Sequence, residues 1–453
     1  MHVDLTRRHL YPYPIGEHHE RSESKRLPLR YLPRINLHLR LPATHSLQLQ
    51  PAMPMWRRVR MCEEQGWADV ITRFALPHVL VAFRSLWLSA LLSSAFSTFP
   101  VSASEADSLP SAETGREYTQ IAAYQPRFTR SRPVIVVIGE NSGTELIDFV
   151  IPYGILSQSG AADVLAVATQ PGPMQMRPGV SIQPQSTIES FDQRYPDGAD
   201  YVIVPAVMSM DGTAHSALLG WISAQAGKGA SIVSICDGAL IVAKAGLFKG
   251  HHATGHWATH ARRVHDFPDT QWLENTRYVA DGKVISSAGV TAAIPLSLAL
   301  VEAIAGNDRA AQVAQDLGVS DWSSRHDSEQ FHLGFRRYLT VFRNRLSPHR
   351  DVGLPVAEGV DEIALALAAD AFSRTYRSHA YTVAFSPGGI QTRHGLTLLP
   401  DRIVGDANEP KHLLPEFAAT PSAQVLDQAL ADIANVYGRP TANLVALQLE
   451  YPQ

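Results

Sequence analysis

Hydrophobic positions are unevenly spread along the chain, and their pattern changes near residue 133. Pro133-Val-Ile-Val-Val-Ile-Gly139 is a continuous apolar run closed by glycine, the pattern of a strand buried on both faces of a parallel sheet. Glu145 to Ser157 has helical spacing, Asp163 to Ala168 reads as a second strand, and Asp200-Tyr-Val-Ile-Val-Pro205 as a third. Ala214 to Ala226 predicts a helix, and Ala230-Ser-Ile-Val-Ser-Ile235 a strand that runs straight into Cys236. Strands alternating with helices predict a parallel sheet covered on both faces, and in open sheets of that kind sites lie at the carboxyl ends of the strands. Cys236 occupies such an end.

Upstream of residue 133 the pattern is different. Met1 to Arg60 is crowded with Arg, His, Pro and Leu without sustained periodicity, which reads as an unstructured extension or a start codon set too far upstream. Ser85-Leu-Trp-Leu-Ser-Ala-Leu-Leu-Ser-Ser-Ala-Phe-Ser-Thr-Phe99 is an apolar run preceded by Arg73 and Arg84 and followed by Val101-Ser-Ala103. That small-x-small ending is a secretory cleavage pattern, and the run is short of the roughly 20 apolar residues a membrane span needs. Export, secreted or periplasmic, is therefore the expectation; anchoring by residues 85–103 and an amphipathic helix packed on the domain are the alternatives. Ser104 to Arg132 is polar and turn-rich and reads as a linker, with the main domain at 133–320 and a connecting segment at 321–349.

The region after 350 repeats part of this domain. A gap-free shift of 216 residues aligns Val167-Ala-Thr-Gln-Pro-Gly-Pro-Met-Gln-Met-Arg-Pro-Gly179 with Val383-Ala-Phe-Ser-Pro-Gly-Gly-Ile-Gln-Thr-Arg-His-Gly395, with seven identities in thirteen positions. The same shift pairs Gly143 with Gly359 and Pro184 with Pro400. Near the end, Gly306-Asn-Asp-Arg-Ala-Ala-Gln-Val-Ala314 resembles Gly438-Arg-Pro-Thr-Ala-Asn-Leu-Val-Ala446 at a shift of 132, so the second copy lacks 84 residues from its middle. The missing part is the one that carries the cysteine, and the position of Asp148 falls on Ala364. Residues 350–453 thus read as a degenerate partial copy without chemistry of its own. Because a half sheet leaves an edge and an apolar face uncovered, it is expected to pack on the first domain or on a second subunit.

Composition narrows the function classes. With 45% hydrophobic and 18% charged residues the chain is that of a folded soluble protein, and a net charge of −4 gives no support to a polyanionic partner. Nucleic acid is therefore not an expected partner, nor is a membrane beyond the apolar segment. The two cysteines, Cys62 and Cys236, exclude a disulfide framework. Cleavage after Ala103 would leave Cys236 as the single thiol. His251, His252, His256 and His260 suggest a metal cluster, but no cysteine or carboxylate shares their spacing; no metal or cofactor is expected.

The chemistry concentrates at Ser234-Ile-Cys236-Asp237-Gly238-Ala239. A strand ending at a nucleophile, followed by small residues that open a helix, is a nucleophile-elbow arrangement, in which Gly238 and Ala239 permit the tight turn. A helix amino terminus beside the thiol favours thiolate and lowers its pKa. On spacing alone Cys236 is equally readable as a small buried hydrophobe.

Ile235-Cys-Asp-Gly-Ala-Leu-Ile-Val-Ala-Lys-Ala-Gly-Leu-Phe-Lys-Gly-His-His-Ala-Thr-Gly-His256-Trp257 resembles the cysteine-elbow signature of the ThiJ/PfpI superfamily, a branch of the class I glutamine amidotransferase-like fold. Leu146-Ile-Asp148-Phe-Val-Ile-Pro152, Pro171-Gly-Pro, Gly179-Val-Ser-Ile-Gln-Pro, Tyr278-Val-Ala-Asp-Gly-Lys-Val-Ile-Ser-Ser-Ala-Gly289 and Ala310-Ala-Gln-Val-Ala314 extend the resemblance, in order, over about residues 133–320. It implies an α/β, flavodoxin-like three-layer sandwich. By the same resemblance Cys236 is the nucleophile, Asp148 the acid that hydrogen-bonds its sulfur, and His256 a base or substrate contact, with a structural histidine as the rival reading. Asp237 would supply an oxyanion-hole N–H. Two departures stand out: the strand that usually ends Pro-Gly-Gly ends here in Pro205-Ala206-Val207, where a second donor is expected, and Ala293-Ile294-Pro295 replaces the usual Gly-Ile-Asp.

The resemblance implies cysteine-dependent attack on a small electrophile, as in isonitrile hydratases, by a protein that pairs as a homodimer. The alternatives are a ligand- or redox-sensing domain like the effector half of AraC-type regulators, a carbonyl-stress protein, and a scaffold with a decayed site.

Overall fold

The computed structural model describes residues 118–208, 213–415 and 419–452. The extension, Cys62, the apolar run 85–99 and the cleavage motif at Ala103 lie outside the described residues.

The apolar runs become strands because each has a hydrophobic layer on both sides. Val134–Gly139 is buried at every position and sits inside a seven-stranded sheet. From one edge the order is Tyr278–Asp281, Val284–Ser287, Ser231–Ser234, Tyr201–Val204, Val134–Gly139, Asp163–Ala168, Ser186–Thr187. Every pairing is parallel except the first, where Tyr278–Asp281 and Val284–Ser287 form an antiparallel hairpin. The expected parallel sheet is thus mixed at one edge. Two apolar clusters cover its faces, one around helix Leu146–Gln158 and helix Ala293–Ala305, the other around helix Thr213–Gly227 and helix Gly238–Lys244.

The end of the expected linker is docked rather than free. Asp200, buried, caps the start of the central strand by accepting from Val134 N at 2.9 Å and pairs with Arg130 at 3.0 Å. Arg127 donates to Lys228 O at 2.5 Å, and Tyr124 N to Ala303 O at 2.8 Å.

After residue 350 the element spans follow those of the first domain. Strands Val134–Gly139 and Arg350–Pro355, helices Leu146–Gln158 and Glu362–Ser373, strands Ser181–Gln183 and Thr397–Leu399, and strands Ser186–Thr187 and Arg402–Ile403 begin 216 positions apart. Helices Ala293–Ala305 and Val425–Tyr437 begin 132 apart. The later strands form their own parallel sheet, in the order Arg402–Ile403, Ser378–Ala384, Arg350–Pro355, His412–Leu413.

Two packed contacts show how closely the regions meet. Helix Glu362–Ser373 packs on helix Leu146–Gln158 so closely that a Cβ on Gly154 would lie 2.7 Å from Ile363 Cγ1. Strand Thr397–Leu399 pairs antiparallel with Ser181–Gln183, placing Ile182 opposite Leu398. Those two residues are themselves 216 positions apart, so the strands meet at the same point of each.

Candidate functional site

Strand Ser231–Ser234 carries the chain to the sheet's carboxyl edge, and helix Gly238–Lys244 begins four residues later. Between them Cys236 has φ +55°, the left-handed region that few non-glycine residues adopt. The turn is fixed on both sides. Ile235 N donates to Val204 O at 3.0 Å, Gly238 N to Ile235 O at 2.8 Å, and Leu240 N to Asp237 O at 3.0 Å. Gly238 is required by a close approach: a Cβ there would lie 2.0 Å from Val204 O, a backbone atom that cannot rotate away.

Cys236 is buried, with 6% of its surface exposed. The Asp237 backbone N–H donates to its sulfur, but burial and the nearby carboxyls of Asp148, Asp237 and Glu145 push the thiol pKa well above its ordinary value. The lowered pKa expected from the helix amino terminus is thus reversed. A seven-residue helix offers a small dipole, whereas desolvation disfavours the charged form directly.

Asp148 sits in the first turn of helix Leu146–Gln158 and is fully buried. Its Oδ2 accepts from Ala206 N at 3.1 Å, while Oδ1 is buried with no hydrogen-bond partner. No hydrogen bond joins it to the sulfur; it acts on Cys236 by charge. Burial pushes the Asp148 carboxyl up to about 8. The Ala206 N–H is therefore already committed to Asp148 and is not a free oxyanion donor, and Ala206 O accepts from Glu145 N at 2.9 Å. Val207 bridges to Thr144. The Asp237 N–H faces the sulfur itself.

Both ring nitrogens of His256 meet backbone groups. Its Nε2 lies 3.2 Å from Gln448 O and its Nδ1 accepts from Ala258 N, and Trp257 Nε1 donates to Leu447 O at 3.1 Å. The strand-and-loop that carries it is held by buried Arg263, which donates to His256 O and Thr259 Oγ1, both at 2.6 Å, and to Gly255 O at 3.2 Å. Thr259 in turn donates to Asp237 Oδ1 at 2.5 Å. The other histidines of the cluster diverge: His251 and His252 face Asp281, and His260 faces Glu274.

Three groups not singled out in the sequence complete the site. Glu145 caps helix Leu146–Gln158 by accepting from Asp148 N at 2.7 Å. From the C-terminal region, Arg374 donates through Nη2 to Glu145 Oε1 at 2.6 Å and through Nε to Asp370 Oδ1 at 2.7 Å. Glu145 and Asp370 are buried. Burial and the like charge of Asp148 push Glu145 up to about 8, Asp370 is pushed up by burial, and the two carboxylates raise the Arg374 guanidinium. One guanidinium among three buried carboxyls compensates one of them, so the cluster retains protons near neutrality. A signal for part of this was present in the sequence: Asp370 is the one charge inside the otherwise apolar stretch Ile363-Ala-Leu-Ala-Leu-Ala-Ala-Asp-Ala-Phe372, and Arg374 follows it at i, i+4.

The arrangement can hold a neutral thiol beside a protonated carboxylic acid, in a backbone turn that constrains the sulfur, with a charged group from the C-terminal region controlling the acid's neighbour.

Residues 132–303 match the DJ-1/PfpI family. The chain is 28% identical over 174 residues to the isonitrile hydratase of Pseudomonas putida, covering 38% of this chain and 72% of that protein. It is 26% identical over 197 residues to the HTH-type transcriptional regulator CdhR of Pseudomonas aeruginosa, covering 42% of this chain and 57% of the regulator, so the match spans little more than half of that relative. Among solved structures, Drosophila melanogaster DJ-1beta superposes with a TM-score of 0.37 at 23% identity, over 42% of this chain and all of that one.

Proposed function

With residues 132–303 identified as a DJ-1/PfpI family domain, we propose that this chain catalyses cysteine-dependent hydration of a small, uncharged electrophile of the isonitrile class. The observation that carries the proposal is the pairing of Cys236 at φ +55° with a buried Asp148 whose Oδ1 has no partner. A neutral thiol and a neutral acid suit a neutral substrate, since neither partner need be ionised in the low-dielectric site before the substrate enters. As the sulfur bonds to the isonitrile carbon, Asp148 gives its proton to that carbon and takes up the thiol proton, leaving a thioimidate. Water then adds to the thioimidate carbon, the C–S bond breaks, the sulfur regains a proton, and the N-substituted formamide leaves. The strand-turn-helix around Cys236 is read as a nucleophile elbow.

Residues 350–453 are read as a partial copy related to the first domain by a local two-fold axis. The common offset of 216 and the antiparallel meeting of Ile182 with Leu398 support this, because a two-fold contact pairs each residue with its own counterpart. The copy has no cysteine and contributes Arg374, which holds the Glu145 cap of the helix that bears Asp148.

The burial of Cys236 favours a second reading, a ligand sensor whose thiol forms an adduct without turnover. The test is incubation of the full chain and Cys236→Ser with cyclohexyl isocyanide, measuring formamide and intact mass. Formamide from the wild-type chain alone supports hydration. A stoichiometric wild-type adduct without formamide supports sensing, and identical behaviour of both chains removes the cysteine from either role.

A further inference from the structure

Helix Phe335–Leu346 is built inside out. Its sequence, Phe-Arg-Arg-Tyr-Leu-Thr-Val-Phe-Arg-Asn-Arg-Leu, turns Thr340 and Asn344 toward the protein, and Asn344 Nδ2 anchors it by donating to Thr375 O at 3.0 Å and Thr441 Oγ1 at 3.1 Å. The large apolar side chains point outward: Phe335 is 76% exposed, Leu339 48%, Phe342 60% and Leu346 72%, with Leu333 at 51% just before the helix. At the helical repeat of about 100° per residue, these four helix positions fall within an arc of roughly 60°. Arg336 and Arg343 flank the stripe on one side and Arg345 on the other, and the helix holds four arginines and no carboxylate.

We propose that this helix is an interfacial docking element that lies on an anionic lipid surface, with the Phe335-Leu339-Phe342-Leu346 stripe in the acyl boundary and the flanking arginines against headgroup phosphates. An apolar stripe bordered by basic residues is the arrangement that partitions into a membrane interface, and arginine stems can stay in apolar surroundings while their guanidiniums reach the phosphates. Charge selects this occupant. A second copy laid along the stripe would bring the arginines of two helices to one seam with no carboxylate on either. None of the described helices is long and apolar enough to cross a membrane, so the element lies on the surface rather than spanning it. The inference concerns a region outside the matched residues 132–303, and it departs from the expectation that residues 85–103 would be the sole membrane contact.

The experiment is co-flotation of the full chain with vesicles of phosphatidylcholine alone, or mixed with about one-third phosphatidylglycerol. The comparison chains are Phe335→Ser/Phe342→Ser and Arg336→Gln/Arg343→Gln, each checked by thermal melting; because the four positions are exposed, unchanged midpoints are expected. Wild type should float with the anionic vesicles and release as salt rises. The arginine variant should bind them at least about tenfold more weakly, since each arginine near an anionic surface is worth about a fivefold gain, and the phenylalanine variant should lose at least as much. Equal flotation of all three chains would assign binding to another segment and overturn the proposal. So would equal binding to uncharged vesicles, no flotation of the wild type, or a wild-type dimer lost in the phenylalanine variant without vesicle binding.

Discussion

Replacing Arg374 with methionine keeps most of the side-chain volume and removes the charge that Glu145 and Asp370 share, through contacts of 2.6 and 2.7 Å in a buried site. Breaking a buried ion pair by deleting one partner costs about 3–5 kcal/mol, chiefly because the remaining charge is left uncompensated. The size of the loss should depend on pH, with a sign the site determines. Glu145 and Asp148 have carboxyls raised to about 8 in the folded protein, against about 4 in the unfolded chain. The folded state therefore binds more protons between those values, and these groups contribute stability that is present at low pH and lost as pH rises toward 8. Without Arg374 the folded carboxyl pKa values climb further, so the stability gap between wild type and Arg374→Met should be small near pH 5 and widen to about 3–5 kcal/mol above pH 8. Urea titrations followed by tryptophan fluorescence at both ends of that range measure it. Glu145→Gln in the Arg374→Met background should recover part of the loss at high pH, since it removes one carboxyl that would otherwise ionise unpaired. A gap below about 1 kcal/mol throughout, or one larger at pH 5 than at pH 8.5, would refute the account of the cluster.

Three further outcomes follow from the site. Asp148→Asn should speed alkylation of Cys236 by iodoacetamide above about pH 8, where the wild-type carboxylate is charged and raises the thiol pKa, and should leave it nearly unchanged at pH 6; slower alkylation at high pH would contradict this. Gly238→Ala should abolish soluble folded protein, because its Cβ would lie 2.0 Å from Val204 O, and recovery of a chain within about 1 kcal/mol of wild type would show that the turn can relax. His256→Ala should change thermal stability more than thiol reactivity, since the ring faces Gln448 O; loss of alkylation or of formamide formation at unchanged stability would return His256 to the reaction.

What could be read from the sequence was what local burial dictates. Val134–Gly139 is a continuously apolar strand, and Asp163–Ala168 and Ser231–Ser234 are short strands with apolar centres; such runs need no knowledge of the fold to be recognised. The helix start moved by one residue because Glu145 is its cap. The hairpin Tyr278–Asp281 to Val284–Ser287 had a signal, Asp281-Gly282 between two apolar runs, yet an expectation of uniform parallel pairing concealed it. Cys236 and Asp148 can be picked out of the sequence as candidates, but their charge state cannot: the helix amino terminus is visible in the sequence, while burial and neighbouring carboxyls exist only after folding. Arg374 was beyond local reasoning because it meets Glu145 across 229 positions of chain. His256 stands twenty residues from the cysteine in sequence, and the C-terminal helix whose Gln448 O its ring meets lies nearly two hundred residues on. Helix Phe335–Leu346 passed for a connector because its stripe faces water.

The contact between Arg374 and Glu145 has a consequence for how the site responds to dilution. Were the same guanidinium offered by a separate subunit, the cap on the Asp148 helix would be complete only above a dissociation constant, and protein concentration would set the fraction of competent sites. Carried on the same chain, it acts at a fixed effective concentration however few molecules share the volume. The carboxyl cluster should therefore titrate identically at nanomolar and micromolar protein, which makes the proton inventory around Cys236 a property of one molecule rather than of an assembly.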